Sequence, residues 1–267
     1  MTTPDLLTLT TPEQVDDHTW RWQVPDTWQQ GRGAFGGLSI AALIRTMTGA
    51  VTTPGHALRT LTATLCGPVM VGPAELKVEI LRAGSGTTTV ACRLTQESEL
   101  RSHAVGIFGR DRVSDGTWLE GSMPEVPSWK ECERAPVGPP IAPVFTQHFD
   151  FWPLDGFPFS GGDRRASHGW VRPKQPGPAR DAAYIAAMMD TWWPSWTVAC
   201  TAPRPMGTIS FTLEMLANFD GLDPDAPMML EAKSPAADGG YAVEFRTLWG
   251  ADGRCLAMNQ QTFAIIK

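Results

Sequence analysis

The apolar stretch Ala41-Ala42-Leu43-Ile44-Arg45 returns in the second half of the chain as Ala186-Ala187-Met188-Met189-Asp190. In each half this helix-forming stretch is followed by a threonine-containing strand and by a hairpin with a glycine turn, at Gly84-Ser85-Gly86 and at Asp238-Gly239-Gly240. A fixed order of elements that occurs twice indicates a duplicated unit. Two copies are too few for a solenoid, so each copy is interpreted as a helix packed on its own sheet.

The two halves carry different side chains at corresponding positions. Aligned by element, Arg45 lies over Asp190, Thr60 lies over Thr208, and Phe108 lies over Gln261. The second half therefore has an acid and an amide where the first half has a guanidinium and a phenyl ring. Because a guanidinium cannot act as a base at neutral pH, we expect a two-lobed fold with one active site, equipped by the second lobe.

Hydrophobic periodicity predicts the elements of each half. Helices are expected over 38–51 and 180–192, and strands over 18–24, 58–65, 75–82, 87–96, 102–110, 145–151, 168–173, 208–216, 228–234, 241–249 and 256–266. A proline-rich stretch with little periodicity separates the halves. We expect an α+β protein with lobes at 1–118 and 145–267, a linker over 119–144, and two antiparallel sheets side by side, each around one long helix.

The composition excludes several classes of function. The net charge of −6 over 267 residues argues against nucleic acid as a partner, because phosphate backbones require a basic surface. Five scattered cysteines without metal-ligand spacing indicate reduced thiols in a cytoplasmic protein, and we expect no metal site and no cofactor. The chain has no run of about 18 apolar residues, so we expect no membrane span, and we expect no signal peptide.

Several short segments are each too common to indicate a family, but their order and spacing along the chain make the set specific. They are Phe35-Gly36-Gly37, Gly67-Pro68-Val69, Gly72-Pro73, Leu81-Arg82-Ala83-Gly84, Trp170-Val171-Arg172, Met189-Asp190, Gly207-Thr208-Ile209-Ser210, and Asp252-Gly253 through Gln261. With these segments the chain resembles the bacterial type II acyl-CoA thioesterases from about residue 20 onward. The resemblance implies a double hotdog fold, hydrolysis of a fatty or related acyl-CoA in lipid metabolism, and assembly into a homo-oligomer such as a dimer.

The resemblance also implies three catalytic side chains around a water molecule, which fall on Asp190, Thr208 and Gln261. Asp190 would act as the general base or orient the attacking water. The Thr208 hydroxyl would hold that water at the thioester carbon, and the neutral Gln261 amide would orient it without competing for its proton. Gln260 is the neighbour of Gln261, and since neighbours on a strand face opposite ways, the sequence leaves open which amide faces the site.

Further residues are candidates for substrate contacts. The Gly37 N–H at the start of the first helix is a candidate oxyanion donor, aided by the helix dipole, and the start of the second lobe's helix is the competing candidate. Trp192, Trp193 and Trp196 follow the candidate base and either line an acyl pocket or belong to the core.

Two other functions remain open from the sequence. One is a non-catalytic protein that binds acyl groups or acyl-CoA. The other is an enoyl-CoA hydratase of the hotdog class, which is disfavoured because the stretch from Asp190 to Trp196 lacks the asparagine and the histidine of the hydratase motif. The absence of Gly-x-Ser-x-Gly argues against a covalent serine mechanism.

Overall fold

Twelve of the fourteen strands join one antiparallel sheet in the computed structural model, which describes residues 4–113 and 115–266. The helices are α1 (Leu6–Thr10), α2 (Gly36–Ala50) and α3 (Ala182–Met189). The strands are β1 (Glu13–Gln14), β2 (Thr19–Val24), β3 (Gln29–Gln30), β4 (Gly33–Ala34), β5 (Ala57–Leu65), β6 (Gly72–Ala83), β7 (Thr87–Gln96), β8 (Glu99–Gly109), β9 (Phe149–Asp155), β10 (Ala166–Pro173), β11 (Met206–Met215), β12 (Met228–Asp238), β13 (Tyr241–Trp249) and β14 (Cys255–Ile265). β3 and β4 form a separate hairpin.

The sheet contains both halves of the chain end to end. Its strand order is β1-β2-β6-β7-β8-β5 and then β11-β14-β13-β12-β10-β9, so the first six strands come from the N-terminal lobe and the rest from the C-terminal lobe. The two antiparallel sheets expected side by side, one in each lobe, are thus joined edge to edge into one continuous sheet. β5 and β11 each end a lobe's sheet, and they satisfy each other's free backbone groups by pairing in antiparallel fashion.

The pairing of β5 with β11 shows how the two lobes correspond. Thr62 lies opposite Thr212, and the register extends symmetrically to Thr60 opposite Glu214 and Thr64 opposite Ser210. A pseudo-twofold axis at the central threonine pair therefore relates Thr60 to Ser210. Each strand also has a register irregularity at the matching place, between Leu58 and Thr60 in β5 and between Thr208 and Ser210 in β11.

This correspondence overturns two of the sequence-based pairs. Leu58 pairs with Phe108 as Thr208 pairs with Phe263, and Leu61 pairs with Gly106 as Phe211 pairs with Gln261. The N-terminal counterpart of Thr208 is thus Leu58 rather than Thr60, and that of Gln261 is Gly106 rather than Phe108. The sequence alignment was wrong by two residues, because a shift of two preserves the alternation of strand faces and leaves the hydrophobic pattern unchanged.

The helices α2 and α3 pack against each other in opposite directions. Arg45, near the end of α2, forms a 2.6 Å ion pair with Asp181 at the start of α3. Asp190, at the end of α3, lies against the start of α2, where a Cβ atom on Gly36 would lie 2.7 Å from its Oδ2. The C-terminal end of each helix therefore lies against the N-terminal start of the other helix. This arrangement supports the alignment of Arg45 with Asp190.

The helix α3 is shorter than the predicted span of 180–192. Its first turn is capped by the Asp181 carboxylate, which accepts a hydrogen bond from the Tyr184 N–H at 2.9 Å. At its end the Thr191 hydroxyl donates to the Met188 carbonyl at 2.8 Å and so satisfies one of the carbonyls that a helix end leaves free. The chain therefore leaves the helix at Asp190, before the tryptophan-rich segment.

The region between the lobes is irregular but attached to the C-terminal lobe. The ring of Trp129 packs on Trp152 with centroids 5.6 Å apart, and Ala135 forms an isolated bridge with Phe151. The strand predicted over 145–151 begins instead as the 3₁₀ helix Val144–His148 and continues as β9. The division into 1–118, 119–144 and 145–267 stays a prediction. Among the described residues no helix has the length and apolar character needed to cross a membrane.

Candidate active site

Three elements of the C-terminal lobe bring Asp190, Thr208 and Gln261 together. The Gln261 Nε2 donates to Asp190 Oδ1 at 3.0 Å, and the Thr208 hydroxyl donates to Gln261 Oε1 at 3.3 Å. Asp190 follows α3, Thr208 lies near the start of strand β11, and Gln261 lies in the middle of strand β14. The predicted residues therefore form one continuous chain of hydrogen bonds.

The structure decides which of the two neighbouring amides faces this site. Gln261 is completely buried and lies between Phe211 of β11 and Glu244 of β13, whereas Gln260 is exposed on the opposite face of the strand. Thr208 is half-buried. The site is thus closed at Gln261 and accessible from the side of Thr208.

Asp190 is a nearly buried carboxyl with an altered proton affinity. Only 9% of the residue is exposed, and this burial raises its pKa above the ordinary value of 3.8. The Arg246 guanidinium, the Gln261 amide and the Gly37 N–H oppose the rise because each stabilises the carboxylate, while the charge of Glu244 adds to it. A carboxylate with a raised pKa and a fixed orientation is suited to act as a general base.

Two charged side chains of β13 were missed by the sequence analysis. Arg246 Nη1 lies 3.7 Å from Asp190 Oδ1, and Arg246 Nε donates to Glu244 Oε1 at 2.7 Å. Both residues are almost fully buried, on the same face of the strand as Ala242 and Leu248. The hydrophobic pattern of this strand was misleading, because the apolar Phe245 lies on the exposed face while the two charged residues lie on the buried face.

The glycines before α2 leave room for the carboxylate. A Cβ atom on Gly36 would lie 2.7 Å from Asp190 Oδ2, and one on Gly37 would lie 2.8 Å from the Ala187 carbonyl oxygen. The two helices could not approach each other this closely if either glycine carried a side chain. The Gly37 N–H, predicted as an oxyanion donor, stabilises the Asp190 carboxylate and so lowers its pKa, and its role toward a substrate stays a prediction.

The three tryptophans occupy different surroundings. Trp192 stacks on Trp193 with centroids 4.3 Å apart and donates its indole N–H to Ser167 Oγ at 2.8 Å. Trp193 is half-buried and stacks on Phe157. Trp196 is buried in a separate cluster with Ala242 and Phe263. The two stacked rings and the third ring therefore lie in different clusters, and the assignment of all three to an acyl pocket stays a prediction.

The corresponding place in the N-terminal lobe is apolar. A Cβ atom on Gly106 would lie 3.1 Å from Leu58 Cδ1, 3.2 Å from the Phe108 ring and 3.4 Å from Met47 Sδ. Arg45, the counterpart of Asp190, is engaged by Asp181 and by the Thr10 hydroxyl. This lobe thus presents neither a carboxylate nor an amide where the C-terminal lobe has both.

A long antiparallel sheet to which each lobe contributes six strands around one central helix is the architecture of double hotdog proteins. Residues 24–109 match the family model described as the acyl-CoA thioesterase N-terminal domain, and residues 122–265 match the acyl-CoA thioesterase C-terminal domain. The chain belongs to the acyl-CoA thioesterase family and is a thioester hydrolase.

Solved structures share the fold over the whole chain. A conserved protein of unknown function with a hot dog fold from Alicyclobacillus acidocaldarius has a TM-score of 0.90 and 24% identity, covering 100% of this chain and 99% of its own. A putative thioesterase II from Thermobifida fusca YX has a TM-score of 0.83 and 18% identity, with 99% of each chain covered. Acyl-CoA thioesterase II TesB2 from Mycobacterium marinum has a TM-score of 0.77 and 17% identity, with 98% of each chain covered. No curated protein matches the chain.

Proposed function

We propose that the chain hydrolyses a fatty or related acyl-CoA with a water molecule held between Asp190 and Thr208, without a covalent intermediate. The observation that carries this proposal is the hydrogen-bond chain from Asp190 through Gln261 to Thr208. Gln261 donates to one carboxylate oxygen, which leaves Asp190 Oδ2 as an acceptor for a proton of the water. The Thr208 hydroxyl donates to Gln261, so its oxygen lone pairs are directed toward a donor such as water.

The reaction follows from these roles. The Asp190 carboxylate removes a proton from the water while the water oxygen adds to the thioester carbonyl carbon. The tetrahedral intermediate then collapses, the carbon–sulfur bond breaks, and the CoA thiolate leaves. The proton held by Asp190 passes to that thiolate, which regenerates the base. A backbone N–H at the start of α2 is the candidate donor to the transient oxyanion.

A panel of acyl-CoAs tests this function, with CoA release followed by a thiol reagent after the protein's own exposed thiol at Cys66 has been blocked. We expect turnover by the wild-type protein and a loss of about 10²-fold or more in Asp190→Asn. Asp150→Asn is the matched control, because Asp150 is also a buried carboxylate of this lobe but pairs with Arg134 and Arg172. Equal turnover in wild type and Asp190→Asn would show that Asp190 is structural.

We further infer a cytoplasmic homo-oligomer, such as a dimer, that acts in lipid metabolism. All five cysteines are free, which fits a reducing compartment, and the oligomer and the metabolic role are supported by the family resemblance. Light scattering coupled to size-exclusion chromatography tests the oligomer, and a mass equal to the 29.0 kDa chain would contradict it.

A further inference from the structure

A chain of buried charges extends from Asp190 away from the substrate side. Arg246 Nη1 donates to the Met189 carbonyl at 2.9 Å and lies 3.7 Å from Asp190 Oδ1, so one guanidinium contacts both the end of α3 and the candidate base. Its Nε donates to Glu244 Oε1 at 2.7 Å. Arg246 is thereby held at the same time by its own strand and by the helix.

The far end of this chain fixes the segment after α3. Glu244 Oε2 accepts hydrogen bonds from the backbone N–H and the hydroxyl of Ser195, at 2.5 Å and 2.7 Å. Ser195 begins the 3₁₀ helix Ser195–Ala199 and lies between Trp193 and Trp196 in the sequence. Glu244 also lies opposite Gln261 in the sheet. The pair therefore connects three parts of the site: the end of α3, the segment at Ser195 and the strand that carries Gln261.

A buried pair of opposite charges is a weak source of stability, because removing both charges from water costs about as much as their attraction returns. Well-packed apolar residues could fill the same space at similar stability. The place of this pair next to the candidate base suggests a role in the reaction. The three ionisable groups together carry one negative charge, and the cation stands between the two carboxylates.

We propose that Arg246 and Glu244 are a positioning pair for the reaction, in which Arg246 holds the Asp190 carboxylate toward the substrate and Glu244 holds Arg246. The inference rests on the proposed function, because it assigns the pair to the same base. The charged groups that act on Asp190 are Arg246 and Glu244 of β13, and its polar partners are Gln261 of β14 and the Gly37 N–H of α2.

The two members of the pair have opposite effects on the base. Arg246 favours the carboxylate form of Asp190 and lowers its pKa, whereas Glu244 disfavours that form and raises the pKa. Loss of the cation should therefore move the acid limb of the rate profile to higher pH. Loss of the Glu244 charge should move the same limb to lower pH. A pair that did not act on the Asp190 carboxyl would leave this limb unmoved.

The experiment measures kcat and KM against pH for Arg246→Met, Arg246→Lys and Glu244→Gln, with thermal unfolding of each protein. We expect the acid limb to rise in Arg246→Met, to stay nearer the wild type in Arg246→Lys, and to fall in Glu244→Gln, while KM changes little. The control is Arg172→Met, since Arg172 pairs with the buried carboxylate of Asp150 away from the site.

Unmoved acid limbs in folded variants, with changes only in KM or in melting temperature, would overturn the proposal. If Arg246→Met does not fold, Glu244→Gln decides the question: we expect its acid limb to move to lower pH, and a limb that is unmoved or that moves to higher pH would contradict the proposal. If the wild-type protein hydrolyses no acyl-CoA, the proposed function fails by itself. Titration of the Asp190 carboxyl by ¹³C NMR in the same variants then tests the pair, with the same opposite shifts expected and unmoved titrations contradicting it.

Discussion

The amide of Gln261 and the carboxylate of Asp190 are joined by a 3.0 Å hydrogen bond, although the two residues are 71 positions apart in the sequence. Gln261 presents its N–H to the acid and its oxygen to the Thr208 hydroxyl. A neutral side chain that both donates and accepts can connect a base to a hydroxyl without taking a proton from either. This relationship links three elements of the C-terminal lobe in one site.

Thr208 and Gln261 should act with Asp190 as one unit. We expect Thr208→Ala and Gln261→Ala each to lower kcat, and each to have a much smaller effect in an Asp190→Ala background, because all three groups act on the same water. Steady-state rates of the single and double variants measure this coupling. Fully additive losses in free energy would mean that the residues act on separate steps.

Gly36 should be required for the position of the base. An alanine there would place its Cβ 2.7 Å from Asp190 Oδ2, and the carboxylate cannot move freely because Gln261 holds it through a 3.0 Å hydrogen bond. A displacement of about 1 Å can cost roughly 10²-fold in rate, so we expect a loss on the order of tenfold or more in kcat for Gly36→Ala.

The matched control for this change is Gly207→Ala. Gly207 adjoins Thr208, but a Cβ atom there would meet no atom within 4 Å. We expect wild-type rates and a wild-type melting temperature in the control. A Gly36→Ala protein with unchanged kcat would show that the carboxylate tolerates displacement.

The raised pKa of Asp190 should appear in the stability of the protein. Because the folded state binds the proton more tightly than the unfolded state, the stabilising contribution of Asp190 is present below its unfolded pKa and is lost as the pH rises through the folded pKa. Each unit of pKa difference corresponds to about 1.4 kcal/mol. Asp190→Asn should therefore gain stability relative to wild type as the pH rises from acid to neutral.

Urea unfolding of both proteins at several pH values measures this difference in the free energy of unfolding. A difference that is constant with pH, or that changes in the opposite direction, would contradict the raised pKa. The same shift predicts that the acid limb of kcat/KM, which reports the free enzyme, lies above the ordinary aspartate value of 3.8.

The stacked pair Trp192 and Trp193 is the part of the tryptophan segment that we expect to influence acyl length. Trp193 is half-buried, so Trp193→Ala should move the optimum toward longer or bulkier acyl groups if its ring closes the pocket. Each methylene accommodated is worth about 0.8 kcal/mol, which makes the shift visible in kcat/KM. Trp196→Ala, in its separate cluster, is the comparison. Unchanged acyl-length profiles in Trp192→Ala, Trp193→Ala and Trp196→Ala would assign all three rings to packing.

The junction of the lobes should be essential for stability. Phe211 is 1% exposed and lies between Ala63 of β5 and Gln261 of β14. We expect Phe211→Ala to cost about 3–5 kcal/mol, and Phe245→Ala, on the half-exposed face of β13, to change stability by about 0.5 kcal/mol or less. Chemical unfolding followed by tryptophan fluorescence and by circular dichroism checks both. Equal costs in the two variants would contradict the role of the junction.

The amino-acid sequence by itself determined the duplication and most strands to within a few residues, because these features depend on local periodicity. Asp190, Thr208 and Gln261, which the structure brings together, were implied by the family resemblance and not by periodicity. The expectation of a double hotdog acyl-CoA thioesterase is confirmed by the fold and by the matching domains.

Only the tertiary structure decided the counterparts of Thr208 and Gln261 in the first lobe, because a strand displaced by two residues presents the same faces. It also decided that Gln261 rather than Gln260 turns inward. The burial of Glu244 and Arg246 could not be predicted from the sequence either. A charged pair on a strand predicts an exposed face, and these two residues are buried only because Asp190, Met189 and Ser195 arrive from distant parts of the chain to satisfy them.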